Sequence, residues 1–118
     1  MGIDFREDDN HASWSYSGFG IFRDRLAKSI GVELRQMEGF GGTRQWNQIQ
    51  DDLVPFLNHS DCDGELAPGH CAKVAKRIME VTSRWPDSIE HRYDKEQARA
   101  LVKAMKFCAK YSKPLEFR

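Results

Sequence analysis

The sequence lacks several features that would place it in a well-defined functional class. Its 118 residues include 18 basic and 18 acidic side chains, so the formal net charge is zero. A general nucleic-acid binder usually carries a net positive charge, and the balance argues against nucleic acid as the partner. No apolar run approaches the ~20 residues that span a bilayer, so we expect no membrane segment.

Signals for secretion and for nucleotide binding are also missing. The first ten residues, MGIDFREDDN, are polar and acidic, which is not typical of a signal peptide. The three cysteines, Cys62, Cys71 and Cys108, are an odd number and favour reduced thiols, so we expect a cytoplasmic protein. The glycine-rich segment 39–43 lacks the Gly-Lys-Ser/Thr of a phosphate-binding loop and predicts a turn.

The composition and the hydrophobic pattern indicate one packed domain over residues 1–118. Hydrophobic residues make up 40% of the chain and aromatic residues 11%, enough for a single core. Apolar residues recur at intervals of three and four in three segments, which predicts helices. These segments are 17–30, 68–85 and 94–112, the last with Asp94 as its N-cap.

The remaining segments complete a mainly α fold. Residues 1–15 are polar and charged and predict an N-terminal arm outside a helical core over 17–118. Residues 32–38 fit either a short strand or a short helical piece, and 44–58 fit one helix or two short ones. We therefore expect a bundle of three or four amphipathic helices, with a short strand or an extended tail after Pro114.

One loop has the character of a cation site. Residues 59–70 contain Asp-x-Asp-Gly-x-Leu, which is similar to the centre of an EF-hand calcium loop. Aligned on its glycine, the loop offers carboxylates for Ca²⁺ but places histidine at both end positions, where calcium prefers oxygen ligands. The alternatives are a calcium-binding module and a helix-capping turn without an ion. The candidate calcium ligands are Asp61, Asp63 and Glu65.

The same loop permits two further readings. His59, Cys62, His70 and Cys71 are zinc-type ligands, although their spacing departs from the paired spacings of zinc sites. Cys62 beside a histidine, or the three carboxylates holding Mg²⁺, would suit a small thiol or metal-dependent enzyme. Neighbouring carboxylates disfavour a thiolate, and no basic residue adjoins them to bind phosphate. We therefore expect that the chain is not an enzyme and has no resident cofactor.

Charge is unevenly distributed along the chain. Residues 51–65 carry five acidic residues and no Lys or Arg, a local charge of −5, whereas 92–118 carry eight basic and three acidic residues, a local charge of +5. Such patches steer a protein toward a complementary partner. We expect a partner protein to contact the acidic segment and exposed aromatics nearby. The candidate contact residues are Asp51, Asp52, Asp61, Asp63, Trp14 and Trp46.

Three stretches resemble a family of small bacterial and phage proteins. They are 14–19 (WSYSGF), 58–66 (NHSDCDGEL) and 114–117 (PLEF), and the middle one is the most specific. The resemblance implies no activity, but it implies a microbial, cytoplasmic, stand-alone domain. Small proteins of that kind often act as inhibitors, immunity factors or counter-defence factors by binding another protein.

Overall fold

The computed structural model describes residues 2–60 and 64–118. The chain begins with a β-hairpin, in which β1 (Gly2–Glu7) pairs antiparallel with β2 (Asn10–Ser15). Asp8 in the connecting turn has a φ of 58°, a left-handed conformation that Asp tolerates better than most residues. Side chains alternate between the two faces of the hairpin, so its apolar residues all reach the core. These residues are Ile3, Phe5, Ala12 and Trp14.

The hairpin overturns the expected fold class. The protein is an α+β fold with two small antiparallel sheets, and the prediction of a mainly helical bundle is wrong. Residues 1–15 were expected to form a polar arm outside the core, whereas Ile3 and Phe5 are fully buried. Asp8 and Asp9 lie in the turn and Asp4 lies on the outer face, whereas Glu7 is buried and pairs with Lys113 at 2.9 Å. The polar composition of the segment concealed a strand pattern of period two.

Within the described residues, four helices follow the hairpin. They are α1 (Tyr16–Ser29), α2 (Val54–Leu57), α3 (Pro68–Thr82) and α4 (Ile89–Lys110). The helices predicted over 17–30 and 68–85 are confirmed apart from their ends. The last helix begins at Ile89 rather than at 94, so Asp94 is not its N-cap but lies inside it and is buried.

The two segments with open predictions contain short 3₁₀ turns. Residues Leu34–Gln36 form one of them, so 32–38 contains a short helical piece, and Met37 and Glu38 after it form isolated β-bridges with Arg44 and Gly42. Residues Trp46–Gln48 form the other, and with α2 they confirm the alternative of two short helical pieces over 44–58.

The C-terminal segment connects the two sheets. β3 (Glu65–Leu66) pairs antiparallel with β4 (Leu115–Glu116), so of the two alternatives for the tail the structure has the short strand. Beyond β4, the backbone of Arg118 exchanges two hydrogen bonds with that of Asp4 in β1, at 3.2 and 3.3 Å. The tail therefore lies between the N-terminal hairpin and β3.

α4 covers the outer edge of β2. The Ser13 backbone N–H donates to Gln97 Oε1 at 2.9 Å, and the Ser13 carbonyl accepts from the Tyr93 hydroxyl at 2.6 Å. These side chains satisfy backbone groups that an open strand edge would expose. Within the described ranges, no helix combines the length and apolar character of a membrane span.

Candidate protein-interaction surface

The two tryptophans proposed as contact residues are buried. Trp14 is 3% exposed and Trp46 is 8% exposed, so neither indole ring is presented to a partner. The Trp46 Nε1–H donates to the Glu38 carbonyl at 3.0 Å, and its ring packs edge-on against Phe40. The expectation of exposed aromatics at these positions is corrected, because both rings pack in the core.

The acidic pair at positions 51 and 52 divides into one paired and one exposed carboxylate. Both Asp51 oxygens accept from the Arg77 guanidinium, the shortest bond being 3.0 Å, and Asp51 also accepts from the Leu53 backbone N–H. The hydrogen bond that Arg77 donates to Asp51 is the main cause that raises the pKa of Arg77. Asp52 is exposed. Asp51 therefore connects its loop to α3, while Asp52 faces solvent.

The candidate calcium loop is described only at its ends, because Asp61 and Asp63 lie outside the described residues. Glu65 begins β3 with its side chain exposed. Its carbonyl, which an EF-hand loop would offer to calcium, lies 3.0 Å from His59 Nε2. The His59 ring also stacks on Phe117 at 3.7 Å. His59 thus connects the loop to the C-terminal strand, and calcium binding stays a prediction.

The cysteines that are described are buried and free. Cys71 Sγ faces the Leu66 carbonyl at 3.6 Å, and Cys108 Sγ faces the Pro114 carbonyl at 3.7 Å. Burial raises the pKa of Cys71 and raises that of Cys108 to about 12, so both are neutral thiols at physiological pH. Cys62 lies outside the described residues. Within residues 2–60 and 64–118, no group of three or more His, Cys, Asp or Glu side chains could hold a metal ion.

A groove of about 450 Å³ runs between α1 and the first turns of α4, and we call it the α1–α4 groove. Gly18 on α1 determines part of its shape. A Cβ on Gly18 would lie 2.9 Å from Ser15 Oγ, which caps α1, so glycine keeps the groove open above the Trp14 ring. The lining residues are Trp14, Ser15, Gly18, Ile21, Arg25, Glu90, Tyr93 and Asp94.

A network of paired charges forms the floor of this groove. Asp94, whose side chain is 9% exposed, accepts from the Trp14 indole N–H at 2.9 Å and from Arg25 at 2.8 Å. Arg25 also donates to the Glu90 carboxylate at 3.2 Å. The Trp14 ring stacks on Phe22 with centroids 4.6 Å apart. These contacts join β2, α1 and α4, so the floor is fixed by both packing and hydrogen bonds.

The rim of the groove is apolar and exposed. Ile21 on α1 is 54% exposed and Tyr93 on α4 is 51% exposed. Ile89, one helical turn before Tyr93, is 85% exposed. The hydroxyl of Tyr93 is held by Ser13, so its ring has a fixed position on the rim.

Sequence reasoning named Trp14 as a contact residue but missed the other residues that form this groove. Trp14 and Asp94 are 80 positions apart, and no local pattern connects them. One signal was available: Ile21 falls outside the helical stripe of Phe19, Phe22 and Leu26, and a large apolar residue on the polar side of a helix marks an exposed patch.

Comparison with known proteins gives no relative from which a function could be taken. No family model, no curated protein and no solved structure matches this chain. The candidate surface therefore depends on the geometry of its own residues.

Proposed function

We propose that this chain is a protein-interaction domain and that the α1–α4 groove is its docking surface. The observation that carries the proposal is the pair of exposed apolar side chains, Ile21 and Tyr93, above a rigid floor of paired charges. Clustered exposed apolar residues with a polar border are typical of interaction sites. The proposal assigns no catalytic role to the groove.

The lining residues indicate the chemistry of the partner. Between Ile21 and Tyr93, the open space above Gly18 suits an apolar side chain. Two carboxylates, Glu90 and Asp94, face the single cation Arg25, which gives the groove one excess negative charge. The partner segment we infer therefore carries an apolar side chain with Lys or Arg beside it.

We propose that the chain acts by binding to and covering a surface of its partner. A small domain that acts by occupying a surface of another protein suits an inhibitor, immunity or counter-defence factor. The free buried thiols of Cys71 and Cys108 support a location in the reducing cytoplasm.

Site-specific photo-crosslinking tests the docking surface directly. A benzophenone amino acid replaces Ile21 in one variant and Met79, an exposed apolar residue outside the groove, in another. The expected result is one protein captured from host cells by the variant with the probe at position 21 and not by the other. That protein is then purified, and its affinity for the wild-type chain is measured by calorimetry.

Charge substitutions complete the test. Ile21→Glu should weaken binding of the purified partner by about tenfold or more, because it places a charge in the apolar part of the interface. Met79→Glu is the matched control and should bind like wild type. Equal capture from both probe positions, or unchanged affinity of Ile21→Glu, would place the docking surface elsewhere.

A further inference from the structure

A second surface lies along the outer face of α4. Five basic residues follow each other at intervals of seven, four, three and four, which places them within about 60° of one another around the helix. All five are exposed. We call this set the cationic row: Arg92, Arg99, Lys103, Lys106 and Lys110.

The charges of the cationic row are not neutralised by ion pairs. Within the described residues, none of the five has a carboxylate oxygen within 4.0 Å of its nitrogen atoms. Lys95 lies on the same side of α4, but it is paired with Asp87 at 2.8 Å. Asp87 and Glu96 line a recess of about 240 Å³ with Arg92 and Arg99, so two acidic groups lie beside the N-terminal end of the row. No acidic residue follows Glu96 in α4.

The composition of the row distinguishes between two kinds of anionic partner. Interfaces between proteins are depleted in lysine, whereas three of the five residues of the row are lysines. Phosphate backbones are bound by exposed Lys and Arg side chains through charge and counterion release alone. At the C-terminal end of the row, the exposed Tyr111 ring lies 5.4 Å from Lys110 Nζ, where an unpaired base could stack.

The length and charge of this region fit a nucleic acid despite the neutral net charge. From Arg92 to Lys110 the helix rises by about 27 Å, which corresponds to about eight base pairs of duplex. Residues 68–113 contain eleven basic and five acidic residues, a local charge of +6, and the rest of the chain carries −6. The positive charge is thus concentrated on the α3–α4 side of the protein.

We propose that the cationic row binds the phosphate backbone of a nucleic acid without sequence preference. This surface is separate from the α1–α4 groove, so the proposal does not depend on the proposed function. It departs from the expectation based on net charge, because a local row of cations rather than the sum over the chain determines backbone binding.

Fluorescence anisotropy with two labelled probes tests the proposal. The probes are a mixed-sequence duplex of about 20 base pairs and a single strand of the same length, titrated between about 50 and 200 mM NaCl. The logarithm of the association constant should fall with that of the salt concentration with a slope of about −4 on the duplex. The double variant Lys103→Gln/Lys106→Gln should make this slope shallower by about 2.

A variant with the same change in net charge is the control. Arg35→Gln/Arg44→Gln removes two exposed cations outside the row and should bind like wild type. The proposal is overturned if neither probe binds at the lowest salt concentration, or if the control variant loses as much affinity as the row variant. Competition by polyglutamate at the same charge concentration as the nucleic acid would also overturn it, because the row would then serve an acidic protein.

Discussion

The two faces of α4 use charge in opposite ways. On the inner face, Asp94 is buried and paired with Arg25 and with the Trp14 indole. On the outer face, the cationic row is exposed, and within the described residues it forms no ion pair. The inner face of α4 therefore forms part of the rigid floor of the α1–α4 groove, and the outer face of the same helix produces a positive electrostatic potential.

The difference shows how burial decides the role of a charge. An unpaired ion in the interior costs several kcal/mol, so a buried carboxylate is retained only with partners around it. An exposed cation costs almost nothing in stability and acts over distances of about 10 Å at moderate salt. Substitutions on the inner face should therefore change stability, and substitutions on the outer face should change binding.

The largest expected effect comes from removing the buried charge of the inner face. Asp94→Ala deletes the acceptor of both Arg25 and the Trp14 indole, and it leaves a buried N–H without its partner. We expect a loss of about 2–4 kcal/mol in the free energy of unfolding, measured by urea denaturation with Trp fluorescence.

An exposed pair provides the matched control for this loss. Asp24 and Lys28 form an ion pair at 3.2 Å on the surface of α1, four residues apart. Asp24→Ala should cost at most about 0.5 kcal/mol. Equal losses from the two aspartate variants would mean that Asp94 does not hold the groove floor together.

A smaller effect is expected at alkaline pH, from the buried thiol near the end of α4. Burial raises the pKa of Cys108 to about 12, from an ordinary value of 9.0. Above pH 9 the unfolded chain loses the thiol proton while the folded chain keeps it. The free energy of unfolding should therefore fall as the pH rises, by about 1.4 kcal/mol per pH unit for this group.

Comparing wild type with Cys108→Ala isolates the contribution of the Cys108 thiol to the pH dependence of stability. The pKa of Lys113 is raised by its hydrogen bond with Glu7, so its contribution to stability is lost only above the ordinary value of 10.5, at the upper limit of the measured pH range. Urea denaturation of wild type and Cys108→Ala from pH 8 to 10.5 separates the two groups. The variant should have the shallower decline, and identical declines would show that Cys108 is not protected from ionisation.

The three long helices could be predicted from the sequence because each has its own periodic stripe. Phe19, Phe22 and Leu26 show this pattern in α1, and it needs no information from other parts of the chain. The hairpin was missed because its turn is Asp8-Asp9 rather than the Asn-Gly of common hairpins. The charged turn also made the whole segment look like an exposed arm.

The groove could not be predicted, because tertiary contacts form it. Its floor joins residues 80 positions apart, Trp14 and Asp94, and its rim combines Ile21 with Tyr93. The expectation of an exposed Trp14 was wrong because a large apolar ring with a hydrogen-bonding partner is most stable when buried. By contrast, the cationic row is a local pattern, because the spacing of its five residues along the sequence is enough to place them on one side of a helix.

The smallest expected effect sharpens the comparison, because it concerns a charge with intermediate burial. Asp51 is half-buried, and its carboxylate is shared between Arg77 and the Leu53 backbone N–H. Asp51→Asn should lower the free energy of unfolding by about 1 kcal/mol, since Arg77 can still reach water after losing its partner.

Asp52→Asn makes the same chemical change at an exposed neighbour, and it should leave the free energy of unfolding unchanged within about 0.3 kcal/mol. Urea denaturation of both variants at neutral pH measures the difference. Equal losses would mean that neither the ion pair nor the partial burial of Asp51 contributes to stability, and the contrast between the two faces of α4 would not extend to a charge of intermediate burial.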